Sequence, residues 1–174
     1  MVIILMGVTG SGKTTLGRLL ADQLGWDFHD GDDYHSAENI RKMSAGIPLT
    51  DEDREDWLHS LSALVKSALE DDESIILACS ALKQRYRDVL KVDPGRVRFV
   101  YLKGSPEQIR ARVQSRKGHY MGADMVASQF DALEEPVDVL TLHIDQSPDD
   151  LLAVIIDTFH LDVGGKGERR GNSG

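Results

Sequence analysis

The chain has a single cysteine, Cys79, only 6% aromatic residues, and so few basic residues against its acids that its formal net charge is −9. Each shortage removes a class of answer. One thiol permits no internal disulfide and no multi-cysteine metal site. It suits a reducing compartment, so a cytoplasmic location is expected. A negative balance of this size argues against nucleic acid or an anionic membrane as the main partner, because both need a basic face. An anionic small molecule stays open, since the field inside a pocket departs from the global charge. No apolar run approaches the ~20 residues of a membrane-spanning helix. The opening run Met1–Met6 is too short for a secretion signal and lacks a basic start.

What is present reads as one globular domain over residues 1–161, followed by a glycine- and charge-rich stretch, 162–174, expected to be disordered. Val2–Met6, Asp27–His29, Ser74–Cys79, Val97–Leu102 and Thr141–Asp145 read as strands. The runs Ile75-Ile76-Leu77-Ala78 and Phe99-Val100-Tyr101-Leu102 are continuously apolar, as strands covered on both faces are. Helices are expected at Lys13–Leu24, at Asp51–Leu69 with Thr50 as N-cap, at Ala81–Leu90, after the capping box of Ser105-Pro106-Glu107-Gln108, and at Asp149–Phe159. The alternation predicts an α/β fold, a parallel sheet with helices on both faces.

One motif carries chemistry on its own. Gly7-Val8-Thr9-Gly10-Ser11-Gly12-Lys13-Thr14 fits the phosphate-loop pattern, and it leaves a buried strand to enter a helix as that loop must. Glycines let successive backbone N–H groups face a phosphate. The helix N-terminus adds its dipole, Lys13 a mobile positive charge, and Thr14 a hydroxyl for Mg²⁺. ATP is therefore the expected ligand. A GTPase switch would need an N-K-x-D motif and a transport ATPase an L-S-G-G-Q-like signature; the chain has neither. That leaves a small-molecule kinase, which also needs an acid beside the acceptor hydroxyl, a substrate clamp and basic groups over the phosphates.

Asp30, Asp32 and Asp33 follow the second strand, whose C-terminal end faces the ligand crevice of a parallel sheet. A solvated acidic turn has the same composition. Arg110, Arg112, Arg116 and Lys117 stand next to Gly118-His119-Tyr120-Met121, either as a phosphate-covering group or as a solvated basic helix face. His35 and His119 read equally as ligand contacts or as packing residues, and Cys79 reads as a buried core thiol.

Further motifs then occur in order: Gly31-Asp32-Asp33-Tyr34-His35 with Asn39 and Lys42-Met43; Gly46-Ile47-Pro48-Leu49-Thr50-Asp51-Glu52-Asp53-Arg54 leading to Trp57-Leu58; Cys79-Ser80-Ala81-Leu82-Lys83 with Tyr86-Arg87-Asp88; and Ser128-Gln129-Phe130 with Leu133-Glu134 and Pro136. With these, residues 2–160 resemble the gluconate kinases. The resemblance implies phosphorylation of D-gluconate by ATP and Mg²⁺ to 6-phospho-D-gluconate. It implies a three-layer phosphate-loop kinase fold of the nucleoside- and shikimate-kinase kind, a five-stranded parallel core sheet with a lid about residues 112–126, and often a homodimer. Carried onto this sequence, it makes Lys13, Asp32 and Arg116 catalytic. Gly7 through Thr15, with Arg112, hold the nucleotide, and Thr14 with Asp30 serves magnesium. Asp32, His35, Arg54, Lys83, Arg87 and His119 meet the substrate, with Arg54, Lys83 and Arg87 as candidates for its carboxylate. The division of base and magnesium roles among Asp30, Asp32 and Asp33 stays open. Ser36 and Gly122 stand where the family usually has proline. Action on another hydroxy acid or polyol, such as shikimate, is the alternative, and a nucleotide switch a distant one.

Overall fold

The apolar runs form the sheet and the amphipathic stretches cover it. A computed structural model of the chain describes residues 1–115 and 123–163. Arg116, Lys117, His119 and Gly122, within the middle of the expected lid (116–122), and the tail after Val163 lie outside the described residues. In chain order the elements are β1 (Val2–Met6), α1 (Lys13–Leu24), β2 (Asp27–Asp30), a 3-10 turn (Gly31–Tyr34), α2 (Ala37–Ser44), a 3-10 turn (Glu52–Arg54), α3 (Glu55–Glu70), β3 (Ile75–Ala78), α4 (Gln84–Leu90), β4 (Val97–Lys103), α5 (Pro106–Ser115), α6 (Ala123–Ala132), β5 (Leu140–His143) and α7 (Pro148–Phe159). The five strands are parallel, in the order β2-β3-β1-β4-β5.

Strand β1 lies at the centre, and all five of its side chains are fully buried. Alternate residues feed opposite layers. Val2, Ile4 and Met6 pack with Leu61 and Val65 of α3 and Leu90 of α4, whereas Ile3 and Leu5 pack with Leu16 and Leu20 of α1 and Leu152 and Ile155 of α7. Each such side chain contributes roughly 1.5–3 kcal/mol of burial. This two-sided anchoring holds the C-terminal end of β1, and the loop that leaves it, in one place. The chain runs from β1 outward to β2, then returns through β3 and crosses β1 to β4, so the crevice opens at the ends of β1 and β3.

Beyond shifts of one or two residues at element ends, the elements differ from expectation in four places. The helix expected from Ala81 begins at Gln84, because Ala81 takes a left-handed conformation (φ 43°) that ends the strand in a loop. The helix expected from Asp51 opens as a 3-10 turn and becomes α-helical at Glu55. Thr50 still caps it: its hydroxyl accepts from the Asp53 amide (3.2 Å), and the Asp53 carboxylate accepts from the Thr50 amide (2.9 Å). Helices α2 and α6 were not expected. In α2 the departure at position 36 has a local explanation, since the Ser36 hydroxyl accepts from the Asn39 amide (3.1 Å) and caps the helix.

Candidate active site

Helix α1 is unlike its neighbours. Helices α2 and α7 begin with a serine cap and acids in the first turn, whereas α1 begins at Gly12 with no side-chain cap and no acid. Its N-terminal amides and positive dipole are thus left for an external anion. The loop before it depends on glycine. A Cβ on Gly7 (φ 141°) would meet the Leu102 carbonyl at 2.7 Å, and one on Gly10 (φ 76°) would meet the Val113 side chain at 2.8 Å. The Lys13 ammonium donates to the Gly7 and Val8 carbonyls, both at 2.9 Å, which curls it over the loop. Arg112 of α5 braces the loop from outside, donating to the Ser11 carbonyl (3.4 Å) and to the Ile144 carbonyl just past β5. These residues fit a bound polyphosphate.

The acidic turn sits against the same loop. Asp30, last in β2, accepts from the Thr14 hydroxyl (2.9 Å) with one oxygen and from the Asp32 amide (3.1 Å) with the other. Asp30 therefore orients both the magnesium-type hydroxyl and the next acid. The Asp32 carboxylate is open to the cleft. Its pKa is raised, first by surrounding protein and then by Asp30, with Asp33 adding and Lys13 opposing. A raised pKa makes a carboxylate a better base. Among the described residues no group of three or more His, Cys, Asp or Glu side chains is arranged to hold a metal ion. A magnesium ion here would lean on Thr14 and Asp30, with phosphate oxygens and water completing its shell.

Besides the loop, the cleft, of about 400 Å³, is lined by His35, Met43, Gly46 through Leu49, Arg54 and Trp57. Trp57 of α3 carries two jobs that its place in the motif did not reveal. Its indole donates to the Gly31 carbonyl (2.7 Å), and its ring stacks on His35 at 4.5 Å. His35 is thereby fixed, with Nε2 4.0 Å from an Asp32 oxygen. Burial, and then the nearby Arg54 guanidinium, lower its pKa to about 4, so it is neutral at physiological pH.

The three cations considered for a substrate carboxylate separate cleanly. Arg87 is buried, 4% exposed, and donates to the Ala81 and Leu82 carbonyls and to Gln84. Lys83 binds both oxygens of Asp51 (3.0 and 3.1 Å), which also accepts from Arg85 and the Tyr86 hydroxyl. Neither lines the cleft. Arg54 does; it donates to the Leu49 carbonyl (2.7 Å) and makes no ion pair among the described residues. The acids beside it are engaged elsewhere, Asp51 as above and Asp53 with Lys42 (2.7 Å), so Arg54 keeps its charge for the cleft. The acid-rich motif thus fastens this cleft-lining segment at two points and leaves one arginine to the cleft.

Cys79 also lies at the cleft, but its thiol is buried and pushed up to about 12, which makes it inert as a nucleophile. Helix α6 supplies the remaining wall through Met125, Ser128 and Gln129, and the Gln129 side-chain oxygen accepts from the Thr9 amide at 2.6 Å. The Ser128-Gln129 motif was visible in the sequence; that it touches the phosphate loop was not, because 120 residues separate the partners.

Known proteins agree with this arrangement. The family model for shikimate kinase matches residues 9–150. The thermosensitive gluconokinase of Escherichia coli K12 is 50% identical over 133 residues, covering 76% of this chain and 71% of its own length. The gluconokinase of Gluconobacter oxydans is 38% identical, covering 92% of each chain. A crystal structure of a gluconokinase from Sinorhizobium meliloti superposes with a TM-score of 0.79 at 37% identity, covering 91% of this chain and 94% of that one. An uncapped phosphate loop, an acid poised at the end of β2 and kinship of this extent place the chain in the gluconate kinase family of phosphate-loop kinases.

Proposed function

We propose that the protein transfers the γ-phosphoryl group of ATP to the terminal hydroxyl of D-gluconate, with Mg²⁺, giving ADP and 6-phospho-D-gluconate. The single observation that carries the substrate is Arg54, a cation lining the same cleft as the phosphate loop and Asp32. A small hydroxy acid with a carboxylate at one end and a reacting hydroxyl at the other has a partner for each end in that cleft. Asp32 takes the hydroxyl proton as the oxygen attacks. The bond from phosphorus to the β–γ bridging oxygen breaks as the new P–O bond forms, and Lys13 offsets charge on the transferring group. Thr14 and Asp30 would hold magnesium, which would supply charge neutralisation to the phosphates. His35, neutral and fixed by Trp57, stands beside Asp32 as a substrate contact. In this reading Lys83 and Arg87 shape the loop and do not touch substrate. The enzyme is taken to be cytoplasmic and, by family likeness, a homodimer.

The test is Arg54→Lys. A planar, bidentate guanidinium contact to a carboxylate is not replaced by an ammonium. Efficiency toward gluconate is expected to fall by about tenfold to a hundredfold, the range of a hydrogen bond to a charged group. ATP affinity should hold, and preference for gluconate over an uncharged polyol of the same length should shrink. An unchanged preference would remove Arg54 from the acceptor site.

A further inference from the structure

We propose that Gln129 is a phosphate-contacting residue, one that uses its amide oxygen to fix the phosphate loop and its amide N–H₂ to donate to the terminal phosphate of the nucleotide; this rests on the loop being the ATP site. Three observations lead there. First, the backbone N–H of Thr9 is a donor, so the half of the Gln129 amide at 2.6 Å from it is the oxygen. That assignment fixes the other half: Nε2, with two donors, stands on the same planar group beside the loop, in a side chain that lines the cleft.

Second, the loop needs donors on this side. The Gly7 amide donates to the Ser80 carbonyl (3.2 Å), the Thr9 amide to Gln129 and the Ser11 amide to the Val8 carbonyl (3.3 Å). Alternate amides of the loop are therefore engaged within the protein, and a side-chain donor next to Thr9 supplements those left for phosphate. Third, the group is preorganised. Phe130 and Leu133 pack against the core, the Glu134 amide donates to the Leu82 carbonyl (2.9 Å), and the Glu134 carboxylate accepts from the Gln84 amide (2.6 Å) at the start of α4. The Ser128-Gln129-Phe130, Leu133-Glu134 motif is a single fastening that presents one neutral amide to the loop. A donor held rigid where charge develops contributes more than a mobile one.

Gln129→Glu and Gln129→Met separate this role from a purely structural one. Glutamate keeps an oxygen for the Thr9 amide, so its melting temperature should stay near wild type. It removes the donor and adds a charge facing phosphate, so turnover should fall about a hundredfold. Its dissociation constant for ATP, by calorimetry, should rise at least about tenfold while that for ADP changes little. The methionine variant loses the donor and, with it, the oxygen that accepts from the Thr9 amide, without gaining charge; its melting temperature should drop, its turnover fall about tenfold, and its ATP-to-ADP affinity ratio move the same way, a ratio that loss of the brace alone would leave unchanged. KM for gluconate should stay within about twofold in both, because neither change reaches the acceptor wall. A glutamate variant with wild-type turnover, or one in which ATP and ADP affinity fall together, would overturn the proposal and leave Gln129 as a brace. A wild-type protein that binds neither nucleotide would overturn the kinase reading itself and this inference with it.

Discussion

Asp32→Asn should lower turnover by about 10²–10⁴ while ATP binding survives, because asparagine keeps the shape and polarity of the side chain but cannot take the acceptor proton. The fold should not suffer. The Asp32 side chain is 83% exposed, and the contact that holds this turn runs from its backbone amide to Asp30, which the substitution keeps. Its raised pKa means that the folded site already disfavours the charge, so a neutral replacement relieves repulsion from Asp30 and Asp33 and leaves stability level or slightly higher. Calorimetric ATP titration beside steady-state rates decides the matter. A collapse of nucleotide affinity, with rates recovering at saturating ATP, would move Asp32 from the acceptor to the magnesium side.

Lys13→Ala should lower turnover by ~10²–10³, the usual loss for one electrostatic contact to the transferring group. Here a structural loss accompanies the chemical one, since the ammonium also bonds the Gly7 and Val8 carbonyls. At about 1 kcal/mol for each hydrogen bond, the melting temperature should drop by a few degrees. The two effects separate if rates are measured well below the transition, where the variant is fully folded. Wild-type activity in that folded variant would contradict the assignment of the loop.

The parts of this molecule that were legible in the sequence are those fixed locally. Val2–Met6 had to be a strand covered on both faces because nothing in it tolerates water, and the glycines after it had to form a loop because a Cβ at Gly7 or Gly10 has no room. Lys13, Thr14 and the acids after β2 followed from that placement. What was hidden depends on long-range pairing. Arg87 looks from its helix like any surface cation, and only the left-handed turn at Ala81 brings the carbonyls that bury it. Asp51 and Lys83 are 32 residues apart, so neither neighbourhood reveals that they bind each other and leave Arg54 to the cleft. Short α2 carries a polar sequence with one buried residue, Asn39, whose amide donates to the Asp53 carbonyl (2.5 Å); no apolar stripe marks it. Trp57 is a core residue whose indole nitrogen also sets the position of the acidic turn through Gly31, a contact its motif does not reveal.

Product analysis with a small set of acceptors decides whether gluconate is the acceptor. Purified protein with ATP and Mg²⁺ is offered D-gluconate, shikimate and an uncharged polyol of the same length, and the products are identified by phosphorus NMR beside a coupled ADP assay. We expect one ADP per phosphate monoester formed, with the ester on the terminal carbon of gluconate, and an efficiency for gluconate at least ~10² above either alternative, as a site with a dedicated carboxylate partner provides. Preference for shikimate or the polyol, or ATP consumed with no phosphorylated acceptor, would contradict that assignment.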